Sequence, residues 1–487
     1  MTSRHKRWYR SRNLAIGLGG AAALFIAYQV YWAATAEPAP VIDYAAKLVE
    51  LSESAQPAGE NGWPLFVEAS GYVDEVVAAV QEMEFAPHDE DKEFYLDFSR
   101  VYGSQSIPPD IEPERLAIKM LRERGAFDLL AQAAACPRAV RPARGSPPLF
   151  MNIQLPELGQ FRHLAKALTA SMRLEAQQGN QVQRIAAFEH SLALGRAAAS
   201  QWTLIDRLVG MSIVSMTLHE LRYELLENAI DELTGRGLLD AMDRQLPMPP
   251  MSLAYEAERM LLLDGIQWSF SDDGHGDGRL DLSKYNQISA SGGGGAPGLG
   301  SVLESVGSIF LAGRAETTAL TNEFYDHLVV DADLDPATRF KEGFDFATFQ
   351  AELTYRHFFL NSLGSAVVRV MEHNDRCVAQ IGGTRAMIAI ETFRAIHGRL
   401  PTSLDQLAPD ILAEVPADPT HGGPFVYRLI ENDPNGRAYL LASTGVDQTD
   451  DSASAGPDDL EEFSYSPRGN VWDEGLDVLF NEPRPNE

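Results

Sequence analysis

Hydrophobic residues recur at three- and four-residue steps along much of the chain, which is the spacing of one face of an α-helix. The clearest case runs from Leu155 to Leu226, where Gly179-Asn180 separates two such stripes. This pattern predicts two antiparallel helices joined by a tight turn. The same spacing predicts further helices at Tyr44–Ser52, Leu65–Met83, Pro113–Cys136, Leu204–Leu218, Leu253–Gln267, Val302–Val330, Phe344–Val370 and Arg376–His397.

Two β-rich runs near the C-terminus predict a hairpin. Phe425–Ile430 and Ala438–Ser443 flank the sequence Asp433-Pro434-Asn435-Gly436. Asn-Gly tolerates the positive φ angles that tight hairpin turns require. Ser403 is followed three residues later by Gln406, which is the spacing of a capping box at the start of a short helix.

The first 36 residues combine a basic stretch with a hydrophobic one. Five Lys and Arg residues precede Leu14, and no acidic residue occurs before Glu37. Residues 14–34 carry no charge, and as a helix they would span roughly 30 Å, the thickness of the hydrocarbon core of a bilayer. The basic residues hold the N-terminus in the cytoplasm, and the aromatic residues near Trp32 suit the opposite interface. We therefore expect a single-pass anchor in the cell (inner) membrane, with the C-terminal bulk outside the cytoplasm.

A cleaved signal peptide is the alternative interpretation of this segment. Ala34-Thr35-Ala36 has the small residues of an A-x-A cleavage site. The hydrophobic stretch is somewhat long for a signal peptide and ends in bulky aromatic residues, which favours an anchor. Both interpretations export the rest of the chain.

The exported part is strongly acidic. Removing the five N-terminal cations from the 40 basic residues leaves 35 against 69 acidic ones, a net charge of −34. This charge argues against nucleic acid and anionic lipid as partners, because both are negative. Cys136 and Cys377 are too few for a disulfide scaffold, whether they form one disulfide or remain two buried thiols.

Changes in composition divide the chain into six parts. They are a basic tail with a transmembrane anchor (1–36), a stalk and helical region (37–150), an αα-hairpin domain (151–270), a Gly-rich linker (271–302), a helical region (303–379) and a C-terminal module with an acidic tail (380–487). The predicted fold class is mainly α, with helical hairpins or a bundle, an N-terminal transmembrane helix, and a small C-terminal α+β module containing a short antiparallel sheet.

An ordered set of motifs marks the C-terminal module: His397-Gly398-Arg399-Leu400-Pro401, Val415-Pro416-Ala417-Asp418-Pro419, Gly423-Pro424-Phe425, Tyr427 and Tyr439. In this order they resemble the C-terminal half of the major pseudopilin of type II secretion, over roughly 380–450. The whole chain also resembles uncharacterised membrane-anchored bacterial proteins that share the helical middle, the stretch Asp264–Leu280 and this tail. The glutamate of a pilin leader is missing near Gly17–Gly20, and a long helical region precedes the module, so we do not expect assembly into a pilus.

The resemblance implies a Ca²⁺ site in the loop after the last tyrosine strand. That loop is 445–463 here, and Asp447, Asp458 and Asp459 best match the ligand positions of the family. Several carboxylates on a flexible loop can supply the six to eight oxygens that Ca²⁺ prefers. Gln448 replaces the glycine that the family has after its first aspartate. The alternative is a solvated acidic loop without metal.

Two other segments have partial metal-site spacing. Asp273–Asp281 follows the start of an EF-hand loop, but Lys284 stands where a bidentate glutamate should close the site. His373 and Cys377 lie four residues apart on a predicted helix, where they could share a metal or simply pack in the core.

No enzyme motif is complete in the sequence. His219-Glu220 is followed by Leu-Arg-Tyr and so lacks the second histidine of H-E-x-x-H, and no G-x-S-x-G elbow or Walker loop occurs. His421-Gly422-Gly423 has the form of an esterase oxyanion loop, but it falls where the pseudopilin-like module has a turn. We therefore assign no catalytic or cofactor-binding residue.

These observations favour a membrane-anchored, non-enzymatic scaffold or interaction protein of the cell envelope, with envelope proteins as partners. Two alternatives remain open at this point. One is an exported hydrolase whose site is assembled from distant residues, and the other is a component associated with a type II-like secretion system.

Overall fold

The computed structural model describes residues 20, 23, 24, 26, 27, 41–83, 96, 98–102, 107, 111–142, 144–146, 148–272, 277–281, 284, 311–361, 364–431, 433, 436–444 and 478–481. The predicted membrane segment 14–34 therefore lies mostly outside the described residues. Within the described ranges, no helix combines the length and the apolar character needed to cross a bilayer.

The N-terminal part of the described chain is helical. Its elements are α1 (Tyr44–Ser54), α2 (Trp63–Gln81), a 3₁₀ turn (Phe98–Arg100), α3 (Glu112–Glu123), α4 (Ala126–Ala135) and α5 (Leu149–Asn152). The single helix expected at Pro113–Cys136 is divided in two at Gly125, whose φ of +83° lies in the left-handed region. Glycine adopts that conformation without a steric penalty, so it ends α3 and starts α4.

The central hairpin is confirmed. Its helices are α6 (Glu157–Gln177) and α7 (Gln181–Ala199), with Gly179 at φ +74° between them. The next helix, α8 (Leu204–Glu227), begins at a capping box in which the Thr203 hydroxyl accepts the N–H of Asp206 and the Asp206 carboxylate accepts the N–H of Thr203. It extends well beyond the predicted end at Leu218.

The remaining helices are α9 (Glu232–Gln245), α10 (Met251–Ser269), α11 (Arg314–Asp333), α12 (Pro336–Glu342), α13 (Phe346–Glu352), a 3₁₀ turn (Tyr355–His357), α14 (Phe358–Asn361) and α15 (Gly364–His397). The long helix predicted at Phe344–Val370 is wrong. Asp345 accepts the N–H of Thr348 and starts the short helix α13, which ends at Glu352, and α14 and α15 begin separately after it. Asp335 accepts the N–H of Thr338 and starts α12 in the same way, in a stretch where no helix was predicted. The helix predicted from Arg376 is the second half of the 34-residue α15.

A three-stranded antiparallel sheet follows a 3₁₀ turn at Leu404–Leu407. Its strands are β1 (Val426–Leu429), β2 (Tyr439–Ser443) and β3 (Val478–Leu479), in the order β1-β2-β3. Gly436 has the positive φ expected of the hairpin turn. The sequence did not predict β3. Asn481, just after it, accepts the N–H of Leu441 and donates to the carbonyl of Tyr439, which ties the end of the chain to β2.

The sheet and the turns around it, which we call the tail module, share a core with the helices. Tyr439, Leu441 and Phe480 pack in the same hydrophobic cluster as Leu218 of α8 and Met387 of α15. The boundary predicted between 379 and 380 falls inside α15, which packs on α8 and α9 and also contacts β2. A second core lies among α2, α3, α4, α6 and α7. The described chain is thus mainly helical with a small antiparallel sheet, as predicted at that level.

The first part of the predicted linker is packed on the protein. Phe270 and Leu280 form an antiparallel bridge, and backbone hydrogen bonds join Ser271 to Arg279 and Asp281 to Ser269. Leu280 belongs to the main core. Residues 285–302 lie outside the described residues.

Five charged residues of α8 are buried, and each contacts a group on another part of the chain. The pairs are Asp206 with Arg141, Arg207 with Asn374, Glu220 with Arg173, Arg222 with Thr384, and Glu224 with Arg184. A buried charge without a partner costs several kcal/mol. The register of α8 is therefore set by ion pairs with Arg141, α6 and α7 and by hydrogen bonds to α15, as well as by hydrophobic packing.

Helices α7 and α8 approach closely where two glycines face each other. A methyl group on Gly210 would lie 2.5 Å from the carbonyl oxygen of Gly195 and 2.6 Å from Cβ of Ala199. Both of these neighbours belong to α7, and one of them is backbone, so the contact cannot relax by moving a flexible side chain.

We predict that Gly210→Ala lowers the free energy of unfolding by about 1–3 kcal/mol, because overpacking forces the two helices apart. Gly71→Ala on α2 is the matched control, since an added methyl group there meets nothing within 4 Å. It should raise stability by about 0.5–1 kcal/mol through helix propensity. Urea unfolding of both variants measures the difference, and equal effects would contradict the close approach.

Candidate functional site

The predicted calcium ligands are not among the described residues. Asp447, Asp458 and Asp459 lie in 445–477, so the site stays a prediction. The described chain enters that segment at Thr444, whose N–H donates to Oδ2 of Asp418.

Asp418 is the polar centre of the tail module. It is fully buried and accepts hydrogen bonds from the N–H and hydroxyl of Thr420, the hydroxyl of Ser443 and the N–H of Thr444. These bonds hold the 418–423 turn against β2. In that turn Nδ1 of His421 accepts the N–H of Gly423 at 2.9 Å. His421 thus takes part in a turn next to Asp418.

The EF-hand-like segment acts as a helix cap where it is described. Oδ1 of Asp277 accepts the N–H of Gly278 and, at 3.0 Å, the N–H of Ala315 in the first turn of α11. A carboxylate in this position also suits the positive end of the helix dipole. Positions 273–276 lie outside the described residues.

His373 and Cys377 do not share a surface. His373 is exposed on α15, whereas Cys377 is 1% exposed and lies 3.9 Å from the hydroxyl of Ser215 on α8. Burial raises the pKa of the Cys377 thiol to about 11, so the thiol is protonated at neutral pH. No group of three potential metal ligands occurs among the residues that the structure describes. Cys136 and Cys377 are both buried, free thiols, which decides the alternative left open by the sequence.

Two residues of α10 hold backbone groups just before α1 and at the start of α5. Oε1 of Gln267 accepts the N–H groups of Val41 and Ile42, and its Nε2 donates to the carbonyl of Ile42 at 3.1 Å. One turn earlier, Asp264 accepts the N–H of Leu149. We call the three bonds of Gln267 the entry clamp. Both residues belong to the stretch Asp264–Leu280, which the sequence singled out without a structural reason.

Residues 138–148, a basic and proline-rich connector between α4 and α5, contribute a buried arginine. The Arg141 guanidinium contacts both carboxylate oxygens of Asp206, and its Nε lies 2.8 Å from Oε1 of Glu157. Its Cζ is 5.0 Å from the ring centroid of Trp63 and 5.9 Å from that of Trp202. These five residues form the Arg141 cluster, which joins the connector to α2, α6 and α8. The sequence showed only a basic, proline-rich connector, since nothing local marks which arginine will be buried.

Glu258 of α10 lies beside this cluster. Burial raises the pKa of its carboxyl to about 7; the N–H of Leu204, 3.3 Å from Oε2, opposes the shift, and the negative charge of Asp206 adds to it. The pKa of the Glu258 carboxyl therefore lies near neutral pH, at a place where α10 packs on the start of α8.

A pocket of about 140 Å³ lies between α8, α15 and the end of the chain. Its polar lining comes from Ser215, His219, Arg222 and Tyr223 on one face of α8 and from Gln380 on α15, and Phe480 lines it from the sheet module. The rings of His219 and Tyr223 lie 4.5 Å apart between centroids. In the sequence, His219 stands out only as part of an incomplete H-E-x-x-H motif, and Gln380 has no distinguishing feature. The pocket could not be predicted because α8 and α15 meet only in the folded chain.

No family model, curated protein or solved structure matches the chain. The resemblance of 380–450 to the major pseudopilin, and that of the whole chain to membrane-anchored bacterial proteins, accordingly stay predictions.

We predict that Glu258 makes stability depend on pH. Its pKa in the folded state lies above the unfolded value of about 4.3, so the folded state holds the proton more tightly. This contribution to stability is fully present below the unfolded pKa and falls as pH rises to about 7. Above that pH it no longer changes, and the total loss is at most about 4 kcal/mol.

Urea unfolding at about pH 5 and about pH 8 measures this contribution. Glu258→Gln should reduce the difference between the two pH values, whereas Glu352→Gln, at an exposed position of α13, should leave it unchanged. An unaltered difference in Glu258→Gln would show that other groups cause it.

Proposed function

We propose that the chain is a single-pass protein of the cell envelope. In this proposal 14–34 anchors it in the cell (inner) membrane, the N-terminus is cytoplasmic, and the acidic helical body with its fused sheet module is a non-enzymatic scaffold that binds envelope proteins. The entry clamp is the observation that carries the proposal, because it holds the chain to the body directly after the hydrophobic segment.

The clamp limits how far the body can lie from the anchor. Between Ala34 and Val41 the chain spans at most about 25 Å, even when fully extended. A body attached so closely keeps α1 and α10 near the bilayer. Its net charge disfavours adsorption on anionic lipid, so attachment depends on the hydrophobic segment.

The sheet offers an edge for a partner. Strand β1 is the last strand on its side of the described sheet, and Leu429 on it is 49% exposed. Edge strands with exposed hydrophobic side chains favour pairing with other chains. Since the module shares the main core with α8 and α15, a partner bound there would be held rigidly by the helical body.

A Ca²⁺ ion bound by Asp447, Asp458 and Asp459 remains part of the proposal as a stabiliser of the tail. Two alternatives from the sequence remain, an exported hydrolase and a component associated with a type II-like secretion system. The contacts of the entry clamp and of the sheet neither support nor oppose them.

Two cysteine variants, Ser3→Cys and Ser54→Cys, test whether the N-terminus lies in the cytoplasm and the body outside it. The native cysteines are buried and give little background, and Ser54 is exposed at the end of α1. The cells are given a permeable outer barrier and are then treated with a maleimide that does not cross membranes. Ser54→Cys should be labelled in these cells, whereas Ser3→Cys should be labelled only after lysis. Both proteins should stay in alkali-washed membranes. A shortened Ser54→Cys product in the soluble fraction would instead identify a cleaved signal peptide.

We predict that the module edge contacts a partner. A photo-crosslinking amino acid in place of Leu429 should give a discrete adduct with an envelope protein in cells. The same replacement at Leu233, which is 81% exposed on α9, should give none. Equal adducts at both positions, or none at Leu429, would argue against an interaction surface at β1.

A further inference from the structure

An open groove of about 490 Å³ lies between the start of α1 and α11, and α10 packs against both of these helices. On α11 the lining residues at 315, 318 and 319 are small, which leaves room beside the larger side chains of α10. We call this space the α10–α11 groove. Its aliphatic lining consists of Val41, Ile42, Leu263, Ile266, Ala315 and Ala319.

Size and apolar contact, rather than charge, define what fits the groove. The two charged side chains in its lining, Asp272 and Arg314, form an ion pair with each other at 3.4 Å. The volume of the groove is about three times that of an engineered cavity of about 150 Å³ that binds benzene, so it can hold a hydrocarbon of roughly 18 carbon atoms. That is the size of a lipid acyl chain.

The groove opens close to the place where the chain leaves the predicted membrane segment. Val41 and Ile42 line it, and the entry clamp holds their backbone while their side chains remain 78% and 39% exposed. Six residues separate Val41 from the end of 14–34, and they reach across at most about 25 Å. The hydrocarbon nearest to the groove is therefore that of the bilayer in which the chain is anchored.

We propose that the α10–α11 groove holds one acyl chain of a phospholipid from the outer leaflet of the inner membrane. The inference rests on the proposed single-pass anchor, which brings the groove to the bilayer. Leu263 and Ile266 contact the acyl chain. Burial and the negative charge of Asp264 raise the pKa of Tyr44, which also lines the groove, so its hydroxyl stays protonated and can donate to an ester carbonyl of the lipid.

A lipid in this groove would orient the body on the membrane. The anchor alone leaves the body able to rotate about residues 35–40, whereas a second attachment through α10 and α11 fixes which face lies toward the bilayer. The contact is apolar, so it does not require the acidic surface of the protein to adsorb on anionic lipid headgroups.

Photolabelling of the full chain in vesicles tests the inference. The vesicles contain phosphatidylethanolamine and phosphatidylglycerol, with a small share of a phosphatidylcholine whose acyl chain ends in a diazirine. After irradiation and proteolysis, the label should occur in 14–34, in the part of α10 around Leu263 and in the first half of α11. It should not occur around Leu233 of α9, which is 81% exposed on the surface.

The label in 14–34 separates this inference from the proposed anchor. Label in 14–34 without label in α10 and α11 would overturn the lipid groove and leave the anchor in place. Absence of label from 14–34 would contradict the anchor, and with it the bilayer as the source of the lipid. Label in the groove from a diazirine-bearing fatty acid, but not from the phospholipid, would also overturn the proposal.

A matched pair of variants places the lipid in the groove. Ala319→Trp fills the groove with a large ring at an exposed position of α11, so the protein should fold and the label on α10 should fall at least about fivefold. Ala347→Trp, at an exposed position of α13, should be labelled like the wild type. The label in 14–34 should be equal in all three proteins. Undiminished label on α10 in Ala319→Trp would show that the lipid does not occupy the groove.

Discussion

The buried charges of α8 are the constraint on which the rest of the structure depends. Each of the five contacts a group outside α8. Asp206, Glu220 and Glu224 contact arginines of the connector, α6 and α7, and Arg207 and Arg222 both contact α15. A shift of α8 by one residue would separate all of these pairs at once and leave charges in a region of low polarity. The close approach of Gly210 to Gly195 adds a steric limit, so the charges and the packing together select one arrangement of the helices.

The pocket and the entry clamp depend on that arrangement of the helices. The pocket is formed by residues on one face of α8, by Gln380 of α15 and by the end of the sheet module, which packs on both helices. Asp206 at the start of α8 holds Arg141, and its charge acts on Glu258 of α10, the helix that also carries the entry clamp. The entry clamp at Val41 and Ile42 and the pocket thus belong to one continuous body, in which α15 connects the helices to the sheet.

Spacing in the sequence was sufficient for most local structure. The α6–α7 hairpin, the helix at Tyr44 and the β1–β2 hairpin lie where periodicity and turn residues predicted them, because they depend on contacts between neighbours in the chain. The prediction failed where local signals compete. The predicted helices ran through Gly125 and through the end of α13 at Glu352, although a left-handed glycine ends a helix and the capping carboxylate of Asp345 starts one whatever the hydrophobic pattern around it.

Composition and periodicity established a mainly helical chain, a basic and hydrophobic N-terminus, a strongly acidic remainder and a hairpin near the C-terminus, since each of these is a property of neighbouring residues. The fusion of the tail with the helical core, the free state of Cys136 and Cys377, the burial of Arg141 and the pairing of Gln267 with residues 41–42 were decided only by the folded packing. These features join residues far apart in the chain. Whether a polar side chain acquires a partner, or like Oε1 of Gln380 has none among the described residues, depends on which helices meet, and no local pattern encodes that.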